Sequence, residues 1–215
     1  GMASALVGIA FFYTHVIEAR AAGTVGAIVG GASALTLFLS VWIGALTFSG
    51  SLVAFGKLSG RMRGAPILLP GRHVMNVALI LGVIGVGIAF GWWVPGMGAG
   101  LGLLWLLFAL SLVLGVTLVI PIGGADMPVV VSLLNSYSGV AASMTGFVIG
   151  NNLLIISGAM VGAAGLILTQ IMCKAMNRSL ANVVVGGFGG GDSSPDSGSG
   201  EYVNVRSAGD RKSVV

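Results

Sequence analysis

The sequence predicts an all-α protein: a polytopic bundle of about six transmembrane helices, the first incomplete, followed by a disordered polar C-terminal tail. Of the 215 residues, 56% are hydrophobic and only 7% are charged, and the mean hydropathy is +1.04. An ordinary soluble domain has roughly 25% charged residues, so this chain cannot cover a globular surface with solvated groups. The 37 glycines are typical of transmembrane helices that pack closely. A large soluble hydrophobic core is the disfavoured alternative.

The first three apolar segments are interrupted by charged or helix-breaking residues. Met2 to Ile17 is shorter than the roughly 20 residues a spanning helix needs, which indicates an incomplete first helix. The second segment covers about Ala32 to Phe55, and the third runs from about Val74 to Val94, where Pro95-Gly96 ends it. The loop between the second and third segments carries the main cluster of basic side chains: Lys57, Arg61, Arg63, Arg72 and His73.

The last three segments follow one another through short turns. The fourth runs from Gly100 to about Ile120, and a proline and two glycines follow it. The fifth runs from Pro128 to Ile149, since proline suits a first helical turn. Asn151-Asn152 is predicted to form the next turn, and the sixth segment covers about Leu153 to Met176.

The basic residues predict the orientation of the chain, because lysine and arginine concentrate in cytoplasmic loops. The clusters Lys57–Arg72 and Lys174–Arg178 are separated by four predicted crossings, so both should lie on one face, together with the GGADMP loop. We expect a multi-pass protein of the bacterial cytoplasmic (inner) membrane, with the basic loops and the tail cytoplasmic. This distribution indicates topology and not nucleic-acid binding.

The composition changes after the sixth segment and suggests three regions. Residues 1–185 form the predicted transmembrane domain, and residues 186–200 form a Gly/Ser linker that cannot pack a core. Residues 201–215 are predicted to start a further, truncated domain. We therefore expect the chain to be a piece of a longer protein.

Few side chains could bind a metal or form a covalent cross-link. Cys173 is the single cysteine, which excludes a disulfide within the chain, and His15 and His73 are the two histidines. No metal site is predicted. Each histidine is interpreted as an interfacial polar residue and not as a proton relay.

Asp126 stands between a glycine pair and a proline, directly before the fifth segment. Its carboxylate is predicted to cap the helix by accepting hydrogen bonds from the first free amides. A second role, at a cytoplasmic interface with a soluble partner, stays open beside the first.

The fifth segment carries polar residues at membrane depth. Ser132, Asn135 and Ser136 share a face at i, i+3 and i+4 spacing and should turn toward the interior of the bundle, because lipid offers no hydrogen-bond partner. They could join helices or line a hydrated path for a proton or small solute, and chemistry alone does not decide between the two. Asparagine could position water but not carry a proton, and no complete segment has a carboxylate or histidine at its middle.

The sixth segment contains a GxxxG pattern, Gly158 and Gly162, followed by Gly165. This spacing predicts close contact with another helix. The glycines of GGFGGG at 186–191 neither follow a strand nor open a helix, so a phosphate-binding loop is disfavoured.

Several long motifs identify a resemblance that covers nearly all of residues 1–190. GGADMPVVVSLLNSYSG (123–139) and NNLLIISGAMVGAAGLILTQIMCKAMNRSLANVVVGGFG (151–189) closely resemble the membrane domain of the proton-translocating NAD(P) transhydrogenase beta subunit. GALTFSGSLVAFGKLSG (44–60) and ILLPGRHVMN (67–76) are similar to the preceding helices of that family.

The resemblance implies an enzyme complex of Si-specific/Re-specific hydride transfer between NADH and NADP+, coupled to proton movement across the membrane. It implies that this chain is the proton-conducting part, binds no cofactor and is inactive alone. The complete enzyme would use NADP(H) and NAD(H). The implied partners are the alpha subunit with its NAD(H)-binding domain, the NADP(H)-binding domain of the same subunit, the lipid bilayer, and a second complex in a dimer.

The resemblance also assigns roles to single positions. Asp126 matches a loop aspartate, and Arg178 falls at the junction, both coupling the membrane domain to the NADP(H) domain. Asn135 matches the polar residue that lines the proton path. Two positions depart from the family: a helix histidine of some members would fall near Ser33, and a serine pair appears as Ala163-Ala164. We expect the titratable group to come from a partner subunit.

Two rival functions remain. A small-solute transporter would form its substrate site from broken helices. A purely structural membrane subunit would tolerate apolar substitution on the polar face of the fifth helix.

Overall fold

The computed structural model describes residues 1–21, 31–62, 71–92 and 97–177, and within these ranges the chain is a bundle of six helices. Every predicted helix is present, and the largest difference at an end is Ile17 predicted against Ala21 observed. The all-α fold class is therefore confirmed. A short 3-10 turn, Gly124–Asp126, precedes the fifth helix. The helices are α1 (Met2–Ala21), α2 (Gly31–Leu58), α3 (Arg72–Trp92), α4 (Met97–Val119), α5 (Met127–Ile149) and α6 (Asn152–Ala175).

Five of these helices are long and apolar enough to cross a membrane, namely α2 to α6. The apolar part of α1, Met2–Glu18, is shorter than these five. Large apolar side chains cover the outside of the bundle, for example Val74 on α3 and Leu153 on α6, which are 75% and 79% exposed. In water such a surface would be costly, whereas lipid solvates it.

The ends of α2 and α6 lie beside the start of α5. Val53 and Ala54 of α2, Met127 of α5 and Cys173 of α6 belong to one buried apolar cluster. The predicted placement of both basic clusters on one face is therefore confirmed for Lys57 and Lys174, which terminate α2 and α6 at this end. Arg63 and Arg178 lie outside the described residues.

The contact between α5 and α6 is made by small residues. A methyl group added at Gly158 would lie 2.5 Å from the Ser143 nitrogen, and one at Gly139 would lie 2.5 Å from the Gly162 nitrogen. Only hydrogen fits between backbones this close, so the predicted close packing is confirmed. Gly150, with φ +68°, ends α5, and Asn151 then reverses the chain into α6, as predicted.

The other half of the bundle, formed by α1 to α4, packs large side chains. The rings of Phe12 on α1 and Phe90 on α3 are 5.4 Å apart. Gly87 of α3 lies against the Phe38 ring of α2, and Leu104 and Leu107 of α4 are fully buried beside them. This half is therefore held by the fit of aromatic and branched side chains.

Candidate functional site

Two of the three polar side chains predicted on α5 lie inside the contact with α6. Ser136 Oγ donates to the Gly162 carbonyl oxygen at 2.5 Å, and Ser132 Oγ lies 3.4 Å from that of Gly165. Thr169 Oγ1 lies 2.9 Å from Ser132 Oγ and 2.7 Å from the same Gly165 oxygen. These bonds join two helices, so they match the interhelical-contact interpretation, and a place on a proton path stays a prediction.

Asn135 does not turn toward the interior of this chain, and that expectation is wrong. The residue is exposed, whereas Ser132 and Ser136 are buried. The reason is helical geometry: Ser132, Ser136 and Gly139 follow at i, i+4 and i+7 along the face against α6, and Asn135 lies at the edge of that face, about 60° from Ser132. Val131, one turn earlier, is exposed as well.

A second polar contact, which sequence reasoning missed, joins three helices. Ser40 Oγ of α2 lies 2.7 Å from Thr145 Oγ1 of α5 and donates to the Ser4 carbonyl oxygen of α1 at 3.1 Å. Thr145 also donates to the Ala141 carbonyl oxygen of its own helix at 2.9 Å. All of these groups are satisfied inside the protein, so they fix the rotation of α5 against α2. A serine within the apolar run of α2 was the available signal.

Lys57 is buried in the last turn of α2, although the sequence placed it in a basic loop. It is 5% exposed, and its ammonium donates to the Ile122 carbonyl oxygen at 2.7 Å and to that of Ile120. These carbonyls follow the end of α4, where a helix leaves acceptors without partners. Lys57 therefore ties the end of α2 to the loop that leads into Asp126.

Asp126 occupies the residue position of an N-cap, but it makes no capping hydrogen bond through its side chain. The physical reason is its backbone, φ −91° and ψ −4°, which continues the preceding 3-10 turn directly into α5. A side-chain cap needs an extended backbone, as at Asn151 (φ −100°, ψ 101°), whose Oδ1 accepts from the Leu153 and Leu154 amides. The capping prediction is therefore wrong, while the half-buried carboxylate still lies at the positive end of the α5 dipole.

Asn76 on α3 is a buried amide that sequence reasoning did not single out. It is 0% exposed, and neither Nδ2 nor Oδ1 has a hydrogen-bond partner. Leaving a buried donor or acceptor unsatisfied costs about 1–3 kcal/mol per group, so this position requires an explanation. The only sequence signal was an asparagine one turn into an apolar helix.

A cavity of about 410 Å³ lies among α2, α3, α4 and α5. Apolar side chains dominate its lining, with Trp42 and Tyr137 as the polar exceptions, and Trp42 Nε1 is buried without a partner. The cavity extends to Ile122, one of the two residues whose carbonyls accept from Lys57. It therefore connects the spans with the loop before α5.

The remaining predicted positions lie apart from these contacts. His15 is half-buried, with Nδ1 3.2 Å from the Phe11 carbonyl oxygen, and His73 is exposed at the start of α3. Ser33, Ala163 and Ala164 are exposed. The described residues contain no group of three or more side chains able to hold a metal ion. Arg178, the linker at 186–200 and the segment 201–215 lie outside the described residues.

Known proteins resemble this chain over most of its length. A sequence model of the NAD(P) transhydrogenase beta subunit family matches residues 1–213. Two relatives, from Rhodospirillum rubrum and from a designated strain of that species, are both named NAD(P) transhydrogenase subunit beta. Each is 47% identical over 189 residues, which is 88% of this chain and 39% of the relative. The match thus spans less than half the length of these relatives. On these matches, the chain belongs to the NAD(P) transhydrogenase beta subunit family.

Proposed function

We propose that this chain conducts protons across the membrane in an NAD(P) transhydrogenase of Si-specific/Re-specific type, coupled to hydride transfer between NADH and NADP+ on separate soluble domains. The observation that carries the proposal is that a chain of the beta subunit family consists, in its described part, of helices of membrane-spanning length and composition. Those residues would bind neither nucleotide and would be inactive alone. The complete enzyme would be a dimeric complex with the alpha subunit, in the bacterial inner membrane with the basic loops and tail cytoplasmic.

The coupling device in this proposal is the loop from Ile120 to Asp126. It is fixed at one end by Lys57 and continues without a break through the 3-10 turn into α5. A displacement of Asp126 by the NADP(H)-binding domain would therefore act on both α2 and α5. Arg178 would contact the same domain from the end of the last helix.

Asn135 is the proposed water-positioning residue of the path. Its side chain is exposed on this chain, so in the complete complex it would face a helix of the alpha subunit or of another part of the enzyme. That surface would supply the titratable group. Ser132 and Ser136 would act by holding α5 in the rotation that presents Asn135, because their hydroxyls are bonded to α6.

A small-solute transporter is less well supported. That function predicts discontinuous helices around a site near the membrane midplane. In the described ranges, α2 to α6 each run unbroken from end to end. The hydroxyls of Ser40, Thr145 and Ser136 are bonded to neighbouring helices and do not surround a polar site.

The test is Asn135→Leu in the complete enzyme, reconstituted in sealed vesicles with hydride transfer and internal pH followed together. We expect proton-coupled turnover to fall at least about fivefold, the effect of one lost hydrogen bond of ordinary strength. Nucleotide affinity should not change. The matched control is Ser157→Ala, an exposed residue on α6 that bonds only to its own helix, to the Leu154 carbonyl oxygen. Normal pumping by Asn135→Leu, or an equal loss in the control, would count against the proposal.

A further inference from the structure

The amide of Asn76 differs from the other fully buried polar side chains of the spans. Ser40, Ser136 and Thr169 each bond to the backbone of a neighbouring or their own helix. Asn76 is equally inaccessible, but among the described residues neither its oxygen nor its nitrogen meets a partner. A side-chain amide can accept two hydrogen bonds and donate two, so Asn76 leaves all of its possible hydrogen bonds unused.

Asn76 lies on α3 one helical turn from the cavity, whose lining does not include its own side chain. Ile80, one turn further along the same face, lines the cavity, and Val83 and Phe90 continue that face into the core with α1, α2 and α4. Asn76 is therefore the polar member of the face by which α3 packs on the bundle. It lies toward the end where α2 terminates with Lys57.

Ile80, one turn from Asn76, shares the cavity with the two elements of the proposed mechanism. Ile122, whose carbonyl accepts from Lys57, and Tyr137 of α5 both line it, as does Trp42 with its unpartnered indole nitrogen. A movement of the coupling loop would therefore change the shape of the space one turn from Asn76. Few polar groups border this space.

We infer that Asn76 is a water-binding position of the proton path, and that its hydration changes when α3 and the coupling loop shift relative to one another. The inference rests on the proposed function and extends it from α5 to α3. The cavity one turn away supplies the room, because its volume of about 410 Å³ is far more than one water molecule requires. Apolar walls alone would keep it dry, and the amide of Asn76 supplies the donors and the acceptor that a water needs.

The experiment compares Asn76→Leu, Asn76→Ser and Ser111→Ala in the complete enzyme in sealed vesicles. Leucine keeps the branched shape of the side chain but cannot hydrogen-bond to water, whereas serine leaves room for a water and keeps a hydroxyl. Ser111 is the matched control, since it is fully buried on α4 and bonds to the Leu107 carbonyl oxygen of its own helix. The readouts are proton-coupled hydride transfer, hydride transfer with the proton gradient abolished, and the thermal midpoint of unfolding.

We expect Asn76→Leu to lower proton-coupled turnover at least about fivefold with an unchanged or higher thermal midpoint, because replacing an unsatisfied amide by an apolar group removes its penalty. Asn76→Ser should retain most of the turnover, and Ser111→Ala should resemble the unaltered enzyme. Full turnover in Asn76→Leu would overturn the inference. Parallel losses of turnover and thermal stability in both Asn76 variants would also overturn it, since they indicate a structural role.

The unaltered enzyme separates this inference from the proposed function. If it transfers hydride without any pH change inside the vesicles, the proposed function itself fails. If it pumps and Asn76→Leu pumps equally well, only the role of Asn76 fails.

Discussion

The two sides of α5 are built differently. Toward α6 it presents Gly139, Gly146 and serines, and the two backbones approach so closely that an added methyl group would collide with main-chain atoms. Toward α2, α3 and α4 it presents Leu133, Leu134 and Tyr137, which border a cavity. The side toward α6 has polar groups bonded all along the contact. The other side has one bonded polar pair, Thr145 with Ser40 of α2, and a cavity bordered by the unsatisfied indole nitrogen of Trp42.

This difference indicates which contacts can change during turnover. A backbone contact with satisfied hydroxyls has few alternative arrangements, so α5 and α6 should move as one body. Side chains around a cavity can repack at a smaller cost, and hydration of Asn76 would offset part of it. The proton path would then open to one side of the membrane or the other through a shift of the α5–α6 pair against α3 and α4. α2 would lie between these two pairs of helices.

The largest expected effect concerns the close contact. Gly158→Ala places a methyl group 2.5 Å from the Ser143 nitrogen and should lower the free energy of unfolding by about 2–3 kcal/mol. Gly82→Ala is the matched control, because nothing lies within 4 Å of the added carbon. It should be neutral or stabilise the helix by up to about 1 kcal/mol. Denaturant unfolding of the complex in mild detergent measures both variants. Equal changes in the unfolding free energy for Gly158→Ala and Gly82→Ala would contradict the difference between the two sides of α5.

The next effect concerns the attachment of the coupling loop. Lys57→Met removes an ammonium that donates to the carbonyls of Ile120 and Ile122, and it should cost about 1.5–3 kcal/mol of unfolding free energy. Lys174→Met, at the exposed end of α6, should change stability by less than about 0.5 kcal/mol. Denaturant unfolding of the complex in mild detergent measures both variants. A Lys57 variant as stable as its Lys174 counterpart would show that the loop is held by other contacts.

The smallest expected effect concerns the difference between the start of α5 and the start of α6. Asn151→Ala removes a side-chain cap and should cost about 1 kcal/mol. Asp126→Ala removes no side-chain cap and should lower the unfolding free energy by less than Asn151→Ala does, while impairing the coupling of hydride transfer to proton movement. Thermal unfolding and the vesicle assay report these separately. If Asp126→Ala destabilises as much as Asn151→Ala, the carboxylate supports the helix start after all.

The sequence predicted the spans well and their rotations poorly. Apolar length, prolines and glycines place the ends of the helices, and the spacing of Gly158 and Gly162 predicts the close contact. A helix that is apolar nearly all round carries little information on which side faces inward, so the exposure of Asn135 was missed. The lack of a cap at Asp126 and the burial of Lys57 depend on backbone torsions and on the loop after α4, which no local pattern encodes.

Water access at the two contacts tests the central claim most directly. Cysteine is placed at Ile80, on the cavity lining one turn from Asn76, or at Ser136 in the complete enzyme, with Cys173→Ala as background and Asn76 kept. The rate of modification by a water-soluble thiol reagent is measured with NADP+, with NADPH and without nucleotide. Because only the hydrated thiolate reacts, the rate reports water at each position. We expect the cysteine at 80 to react at rates that depend on the bound nucleotide, while the one at 136 stays unreactive throughout. Reaction at 136 that follows the nucleotide, with none at 80, would contradict the central claim.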